Sequence, residues 1–151
     1  MESCTRILGI DYGSERIGLA LSDPLGVLAR PHETLRNDPT LWHRLKSIVA
    51  AEHVLQIVVG MPLNLKGKKG KKAEEVEVFI ERLKAETRAD VTTWDERFTS
   101  TMAHQTLIAM GTTRKSRQND KGRVDAMAAA ILLQSYLDRR KRPASGEPWE
   151  T

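Results

Sequence analysis

The sequence predicts a single α/β domain with a mixed five-stranded sheet and helices on both of its faces. The chain has 151 residues, 40% of them hydrophobic, which is enough for one buried core. Its first part shows short apolar runs separated by turn motifs, as in β-hairpins. The remainder alternates between strand-like and helix-like apolar patterns. Hairpins pair strands antiparallel and strand–helix alternation pairs them parallel, so one sheet contains both kinds of pairing.

Three strands are predicted in the hairpin region. The turn at residues 11–14 (Asp-Tyr-Gly-Ser) separates the first strand from the second, and the turn at 23–26 (Asp-Pro-Leu-Gly) separates the second from the third. Asp11 therefore ends a buried strand beside a glycine-containing turn, which suits binding of either a metal ion or a phosphate. The predicted strands are Thr5–Asp11, Arg16–Ser22 and Val27–Glu33.

A helix and a buried strand follow. Asp38 is the predicted N-cap of the helix, and Pro39 takes the first helical position. Apolar residues at helical spacing continue the helix to about His53. The continuous apolar run Val54–Gly60 predicts a strand that is covered on both faces. This strand ends abruptly at Met61 and Pro62.

The next segment predicts another helix and a short strand. Val76, Phe79, Ile80 and Leu83 mark the apolar face of the helix. The strand Val91–Trp94 comes next and is followed directly by two acidic residues. Since ligands bind beyond the carboxyl ends of parallel strands, these acidic residues are expected on the same rim of the sheet as Asp11.

Two further helices are predicted toward the C-terminus. Thr99 or Ser100 caps the first of them, and a polar, basic loop at residues 112–119 follows it. Asn119 or Asp120 caps the last helix, which runs to about residue 138 and is rich in alanine. The predicted domain therefore spans residues 1–138, and residues 139–151 form a flexible, charged tail.

Composition excludes several classes of protein. Cys4 is the only cysteine, which rules out an internal disulfide and a cysteine-rich zinc site. The four histidines lack the spacing of metal ligands. No stretch approaches the roughly 18 apolar residues of a membrane helix, and the N-terminus lacks a signal-peptide pattern. We therefore expect a soluble, cytoplasmic protein.

Basic residues occur in two clusters. The net charge is +4 and the pI is about 9.4, which favours polyanionic partners. Aromatic residues make up only 5% of the chain, so base stacking is a poor main source of affinity. We therefore interpret the basic clusters as contacts with a phosphate backbone; the alternative that they are only solvated surface stays open. The first cluster is a lysine-rich loop at residues 66–72, and the second contains Arg114, Lys115, Arg117, Lys121 and Arg123.

Three acidic residues are expected to converge. Asp11 ends the first strand, Glu96 follows the last strand, and Asp125 lies early in the alanine-rich helix, whose small side chains allow close approach to the sheet. Carboxylates that meet at one point repel each other unless a cation neutralises them, and oxygen ligands select Mg²⁺ or Mn²⁺. A pair of such ions supports phosphodiester hydrolysis. Each residue also has a simpler explanation when it is taken alone. Asp11 fits an acceptor of hydrogen bonds in the turn that follows it, Glu96 fits a carboxylate at a helix N-terminus, and Asp125 fits an exposed ion pair with Lys121.

Four motifs resemble the YqgF/RuvX family of bacterial proteins. They are residues 9–13 (Gly-Ile-Asp-Tyr-Gly), 58–62 (Val-Val-Gly-Met-Pro), 95–100 (Asp-Glu-Arg-Phe-Thr-Ser) and 121–125 (Lys-Gly-Arg-Val-Asp). The resemblance runs from about Thr5 to Leu137. It implies a ribonuclease H-like fold and a protein that resembles Holliday junction resolvases, in a family proposed to process the 5′ end of pre-16S ribosomal RNA.

The resemblance also implies a site. The acidic positions of the family fall on Asp11, Glu96 and Asp125; Asp95 competes with Glu96, which is favoured because its side chain is longer. A fourth carboxylate, common on the last helix of ribonuclease H-like sites, is lacking here, because Ala128 and Ala129 occupy the next turn.

The leading hypothesis is a Mg²⁺- or Mn²⁺-dependent endonuclease that acts on structured nucleic acid. The implied substrate is ribosomal RNA precursor, with branched DNA as the alternative, and the protein is a monomer or weak homodimer. Two alternatives stay open: a non-catalytic assembly factor and a sugar-kinase-like ATPase. Such ATPases close two lobes over a nucleotide, and 151 residues supply only one. The expected nucleic-acid contacts are Arg16, Asn64, Lys66, Lys68, Lys69, Arg97, Lys121 and Arg123.

Overall fold

A five-stranded sheet with strand order β3-β2-β1-β4-β5 organises the protein. The computed structural model describes residues 5–63, 68–96 and 121–141, without the side chains of 121–124 and 141. No helix in these ranges is long and apolar enough to cross a membrane. The strands are β1 (Arg6–Asp11), β2 (Arg16–Ser22), β3 (Ala29–Arg36), β4 (Val54–Met61) and β5 (Asp90–Asp95). The helices are α1 (Leu41–Ala51), α2 (Lys71–Thr87) and α3 (Lys121–Lys141).

The pairing of the strands confirms the predicted mixed sheet. β1 and β3 both run antiparallel to β2, as two successive hairpins require. β4 pairs parallel with β1 on one side and with β5 on the other. The carboxyl ends of β1, β4 and β5 therefore meet at one rim, which is where ligand sites form in such sheets.

Helices cover both faces of the sheet, because successive side chains of a strand point to opposite sides. Leu8 and Ile10 of β1 join a core cluster with residues of α1 and α2. Ile7, on the other face, joins a second cluster with residues of α3. The prediction of helices on both faces is thus confirmed.

Close approach of α3 depends on small residues on both surfaces. Ala126, Ala129 and Ala130 of α3 are buried against the sheet, as the alanine-rich pattern predicts. Glycines of the sheet complement them: a Cβ added at Gly9 would lie 2.8 Å from the Cβ of Leu133. This second requirement was not apparent from the sequence pattern, which treats glycine in a strand as a turn or bulge signal.

Several predicted boundaries were wrong. β3 begins two residues later than expected and ends at Arg36. The predicted N-cap role of Asp38 is wrong, because its carboxylate accepts hydrogen bonds from the amide and hydroxyl of Thr40, and α1 begins after Thr40. α3 continues to Lys141, so its helical residues extend into the predicted tail.

Other predictions lie outside the described residues. They are the helix capped by Thr99 or Ser100, the basic loop at 112–119, the caps Asn119 and Asp120, and tail residues 142–151.

Candidate active site

Asp11 lies at the carboxyl end of β1, where the hairpin and α3 meet. The antiparallel register pairs Asp11 with Gly18 of β2. α3 lies directly on Gly18: a Cβ added there would be 2.0 Å from the backbone oxygen of Asp125. Since paired residues on antiparallel strands have Cα atoms about 5 Å apart, this contact brings the peptide of Asp125 next to Asp11.

Glu96 approaches Asp11 from the opposite side. It follows β5, and its Oε2 lies 2.7 Å from the position of a Cβ added at Gly60. Gly60 follows Val59, which is the parallel partner of Ile10, so Gly60 and Asp11 are the next positions on neighbouring strands. The carboxylate of Glu96 therefore occupies space that glycine leaves open beside Asp11.

The pKa of Asp11 is shifted by burial and by the charges around it. Burial is the largest effect, and it raises the pKa of Asp11 from 3.8 to about 6. The negative charge of Glu96 raises the pKa further, the ammonium of Lys72 opposes it, and Asp125 adds a smaller increase. Asp11 is thus a half-buried carboxyl group, and the charges of two other carboxylates make its ionisation less favourable.

The pKa of Glu96 is shifted in the same direction. Burial raises it most, Lys72 opposes the shift, and the negative charge of Asp95 raises it. Asp95 is therefore a neighbour of Glu96, while the side chain of Glu96 is the one that lies over Gly60. This difference favours Glu96 over Asp95 as the acidic group nearest to Asp11.

Lys72 is a functional candidate that sequence reasoning did not single out. Residues 66–72 were predicted as a loop, but Lys71 and Lys72 form the first turn of α2, after Gly70. The helix directs the charge of Lys72 toward the acidic rim, where it lowers the pKa of both Asp11 and Glu96. Gly70 before a run with helical periodicity is the signal that could have placed Lys72 in a helix.

Asp125 is held by an arginine. The Nε of Arg16 donates a hydrogen bond of 2.6 Å to Oδ2 of Asp125, and this bond is the main reason that the pKa of Arg16 is raised. Within the described ranges, no group of three His, Cys, Asp or Glu side chains is close enough to hold a metal ion. The oxygen donors of Asp11, Glu96 and Asp125 suit a hard cation chemically, but Asp125 is engaged by a cation of the protein itself.

The family of the chain follows from comparison with known proteins. The sequence profile of the RuvX family, described as Holliday junction resolvase, matches residues 5–139. The chain belongs to the RuvX family. Resolution of a Holliday junction is cleavage of phosphodiester bonds, so the predicted class of hydrolase is confirmed at the level of the family.

Curated relatives share this sequence over most of its length. Proteins named "Putative pre-16S rRNA nuclease" include one from Sulfurihydrogenibium sp. (strain YO3AOP1), 39% identical over 89% of this chain and 91% of the relative. Another, from Desulforamulus reducens, is 42% identical over 88% of this chain and 96% of the relative. A third, from Listeria monocytogenes serovar 1/2a, is 40% identical over 88% and 97%.

Solved structures support the ribonuclease H-like fold of this RuvX protein. Thermus thermophilus RuvC in complex with a Holliday junction substrate has a TM-score of 0.57 and 16% identity, covering 90% of this chain and 95% of that chain. The fowlpox virus resolvase in complex with junction DNA has a TM-score of 0.57 and 12% identity, covering 91% and 99%. At these identities the likeness establishes the fold alone.

The predicted nucleic-acid contacts are only partly visible in the RuvX chain. Arg16 pairs with Asp125, and Lys69 pairs with Glu77 of α2. Lys68 is exposed. Lys121 and Arg123 lie in the first turn of α3, but their side chains are outside the described part, as are Asn64, Lys66 and Arg97 altogether.

An open pocket adjoins the acidic rim. It has a volume of about 510 Å³ and lies between the β1–β2 turn and the start of α2. Three cationic side chains and three carboxylates line it, so its cations can contact an anion only beside negative groups of the chain. The lining residues are Gly13, Ser14, Glu15, Arg16, Lys71, Lys72, Glu75 and Asp125.

Proposed function

We propose that this RuvX protein is a metal-dependent endonuclease that processes the 5′ end of pre-16S ribosomal RNA. The observation that carries the proposal is the placement of the carboxylate of Glu96 over Gly60, beside Asp11, with the peptide of Asp125 on Gly18 at the same rim. The raised pKa of Asp11, which reflects burial and the charges of Glu96 and Asp125, agrees with it. Three carboxylates that disfavour each other at a sheet rim are the environment that a divalent cation stabilises. The names of the curated relatives support the RNA substrate.

Mg²⁺ or Mn²⁺ is the proposed metal, held by Asp11, Glu96 and Asp125. When bound, such an ion polarises a phosphoryl oxygen and lowers the pKa of water. The residues of the chain supply its oxygen ligands and exclude bulk water around Asp11 by burial. Lys72 balances part of the negative charge while no ion is present.

Cations of the chain are proposed to hold the phosphate backbone of the substrate. Arg16, Lys71 and Lys72 line the pocket beside the acidic rim. The other predicted contacts are proposed to extend this surface: Asn64, Lys66, Lys68, Lys69, Arg97, Lys121 and Arg123. Such contacts position a nucleic acid without reading its sequence.

We also propose that the protein is cytoplasmic and acts as a monomer or weak homodimer.

A four-way DNA junction is the second candidate substrate. The family description and two structural neighbours with junction DNA favour it. Both candidates fit the same chemistry, because hydrolysis at an acidic metal site does not need the 2′-hydroxyl of RNA.

Cleavage assays distinguish the two substrates and the non-catalytic alternative. With Mg²⁺ or Mn²⁺, we expect cleavage at the mature 5′ end of an RNA that carries the pre-16S leader, and at least tenfold slower cleavage of a four-way DNA junction. A faster reaction on the junction assigns the protein to DNA instead. Tight binding of both without cleavage of either contradicts the nuclease proposal.

Glu96 and Asp95 form a matched pair for testing the metal site. Glu96→Gln is expected to lower cleavage by about 100-fold or more, because its carboxylate lies over Gly60 beside Asp11. Asp95→Asn is expected to keep activity within about threefold, since the charge of Asp95 has the smallest of the three effects on the pKa of Glu96. Both variants are assayed by gel with the same RNA. The reverse order of effects would assign the role to Asp95.

A further inference from the structure

The ion pair between Arg16 and Asp125 joins two functions that the proposed mechanism keeps apart. Asp125 is a proposed metal ligand, while Arg16 lines the pocket proposed for the phosphate backbone. The bond of 2.6 Å occupies Oδ2 of Asp125 and neutralises part of the negative charge that a cation would bind. A divalent cation and the guanidinium therefore compete for the same carboxylate.

Contacts other than the ion pair hold α3 on the sheet. Ala126, Ala129 and Leu133 bury the helix against the sheet, and the peptide of Asp125 lies on Gly18. These backbone and apolar contacts fix the helix independently of charge. The bond from Arg16 acts on the carboxylate of Asp125, at the surface of a helix that these contacts already hold.

Arg16 is also accessible to a substrate. Its side chain is 39% exposed, against 25% for the side chain of Asp125. A guanidinium has five N–H donors, and its planar fork matches a phosphate as well as a carboxylate. Lys71 and Lys72 line the same pocket as Arg16, together with three carboxylates, so an entering phosphodiester meets three cations, of which Arg16 is the one bonded to Asp125.

We propose, on the basis of the function proposed above, that Arg16 is a positioning residue that couples nucleic-acid binding to metal binding. In the free protein it holds Asp125. When a substrate phosphate enters the pocket, the guanidinium moves to the phosphate and Asp125 turns to the cation beside Asp11. Because coupling between two ligands is reciprocal, the nucleic acid and the metal each strengthen the binding of the other.

The first test measures Mn²⁺ binding to the protein without nucleic acid, by electron paramagnetic resonance of the free ion. Arg16→Met keeps an unbranched apolar side chain and removes the competing charge, so we expect Mn²⁺ to bind about tenfold more tightly. Arg44→Met is the matched control, since Arg44 forms an exposed ion pair with Glu33 away from the acidic rim, and it should bind Mn²⁺ like the wild type. Equal or weaker binding by Arg16→Met would overturn the proposal.

The second test measures binding of an RNA hairpin in EDTA, where no metal-dependent cleavage occurs. Arg16→Met is expected to weaken binding and to lower the slope of log affinity against log salt by about one, as loss of one phosphate contact requires. Arg16→Lys keeps the charge and should restore most of the slope. An unchanged slope in Arg16→Met means that Arg16 does not contact phosphate and also overturns the proposal.

The outcome is separable from that of the proposed function. If Arg16→Met behaves like the wild type in both tests while Glu96→Gln loses cleavage, the nuclease stands and the coupling fails. If Glu96→Gln keeps full cleavage, the metal site itself is wrong. Melting temperatures of all variants identify any that unfold, and Arg16→Gln, which also removes the charge, then serves in place of Arg16→Met.

Discussion

Asp11→Asn is expected to reduce metal-dependent cleavage by about 10³-fold or more. The substitution keeps the size of the side chain but removes the charge that a divalent cation needs, and loss of several kcal/mol of transition-state stabilisation corresponds to that factor. The rate is measured with the leader RNA in Mn²⁺. Asp90→Asn is the matched control, because Asp90 is exposed at the start of β5, the far end of that strand from Glu96, and should retain wild-type activity. Activity within tenfold of wild type in Asp11→Asn would contradict the site.

The same substitution is expected to stabilise the metal-free protein. The pKa of Asp11 is about 6 in the folded state against 3.8 ordinarily, so the folded protein resists ionisation of this group. Well below pH 3.8 the group is protonated in both states and carries no penalty. As pH rises toward 7 the penalty grows to at most about 3 kcal/mol, and stability falls accordingly.

The stability effect has its own measurement. Denaturant unfolding in EDTA should show that Asp11→Asn is more stable than wild type by about 1–3 kcal/mol at pH 7 and by much less at pH 4. Excess Mg²⁺ should reduce the difference at pH 7, because the cation binds the wild-type carboxylates. A difference that is equal at the two pH values would show that the charge of Asp11 is not responsible.

Gly18→Ala is expected to be the most disruptive small substitution on the face covered by α3. A Cβ at this position would lie 2.0 Å from the backbone oxygen of Asp125, and backbone cannot move aside as a flexible side chain does. We expect a loss of about 3 kcal/mol in the free energy of unfolding, together with loss of cleavage as α3 is displaced. Gly70→Ala is the control, since nothing lies within 4 Å of a Cβ added there. Near-wild-type stability of Gly18→Ala would contradict the close contact.

The mixed sheet, though not its strand order, could be predicted from the sequence because the signals for hairpins and for buried strands are local. The turn at residues 11–14 and the apolar run Val54–Gly60 each define a strand without knowledge of distant contacts. The helix boundary predicted at Asp38 was wrong because its carboxylate accepts hydrogen bonds from the amide and hydroxyl of Thr40, before the helix begins. The sequence does not distinguish such a turn from an N-cap.

The site could be predicted in its acidic residues but not in its counter-charges. Asp11 and Glu96 follow apolar runs, so the carboxyl ends of parallel strands locate them. Lys72 and Arg16 reach the site only through the placement of α2 and α3 against the sheet, which depends on long-range packing. The pairing of Arg16 with Asp125 spans 109 positions of the chain and has no local signal.

The two faces of the sheet differ in how well they tolerate substitutions, because glycines lie beneath α3. On the side of α1 and α2, bulky aliphatic and aromatic side chains interlock, and exchanges of similar volume can be accommodated by repacking. Beneath α3, Gly18 and Gly60 leave room for main chain and carboxylate, and no larger residue offers the same space. Directed evolution of a more robust enzyme should therefore diversify the former layer and leave the latter untouched.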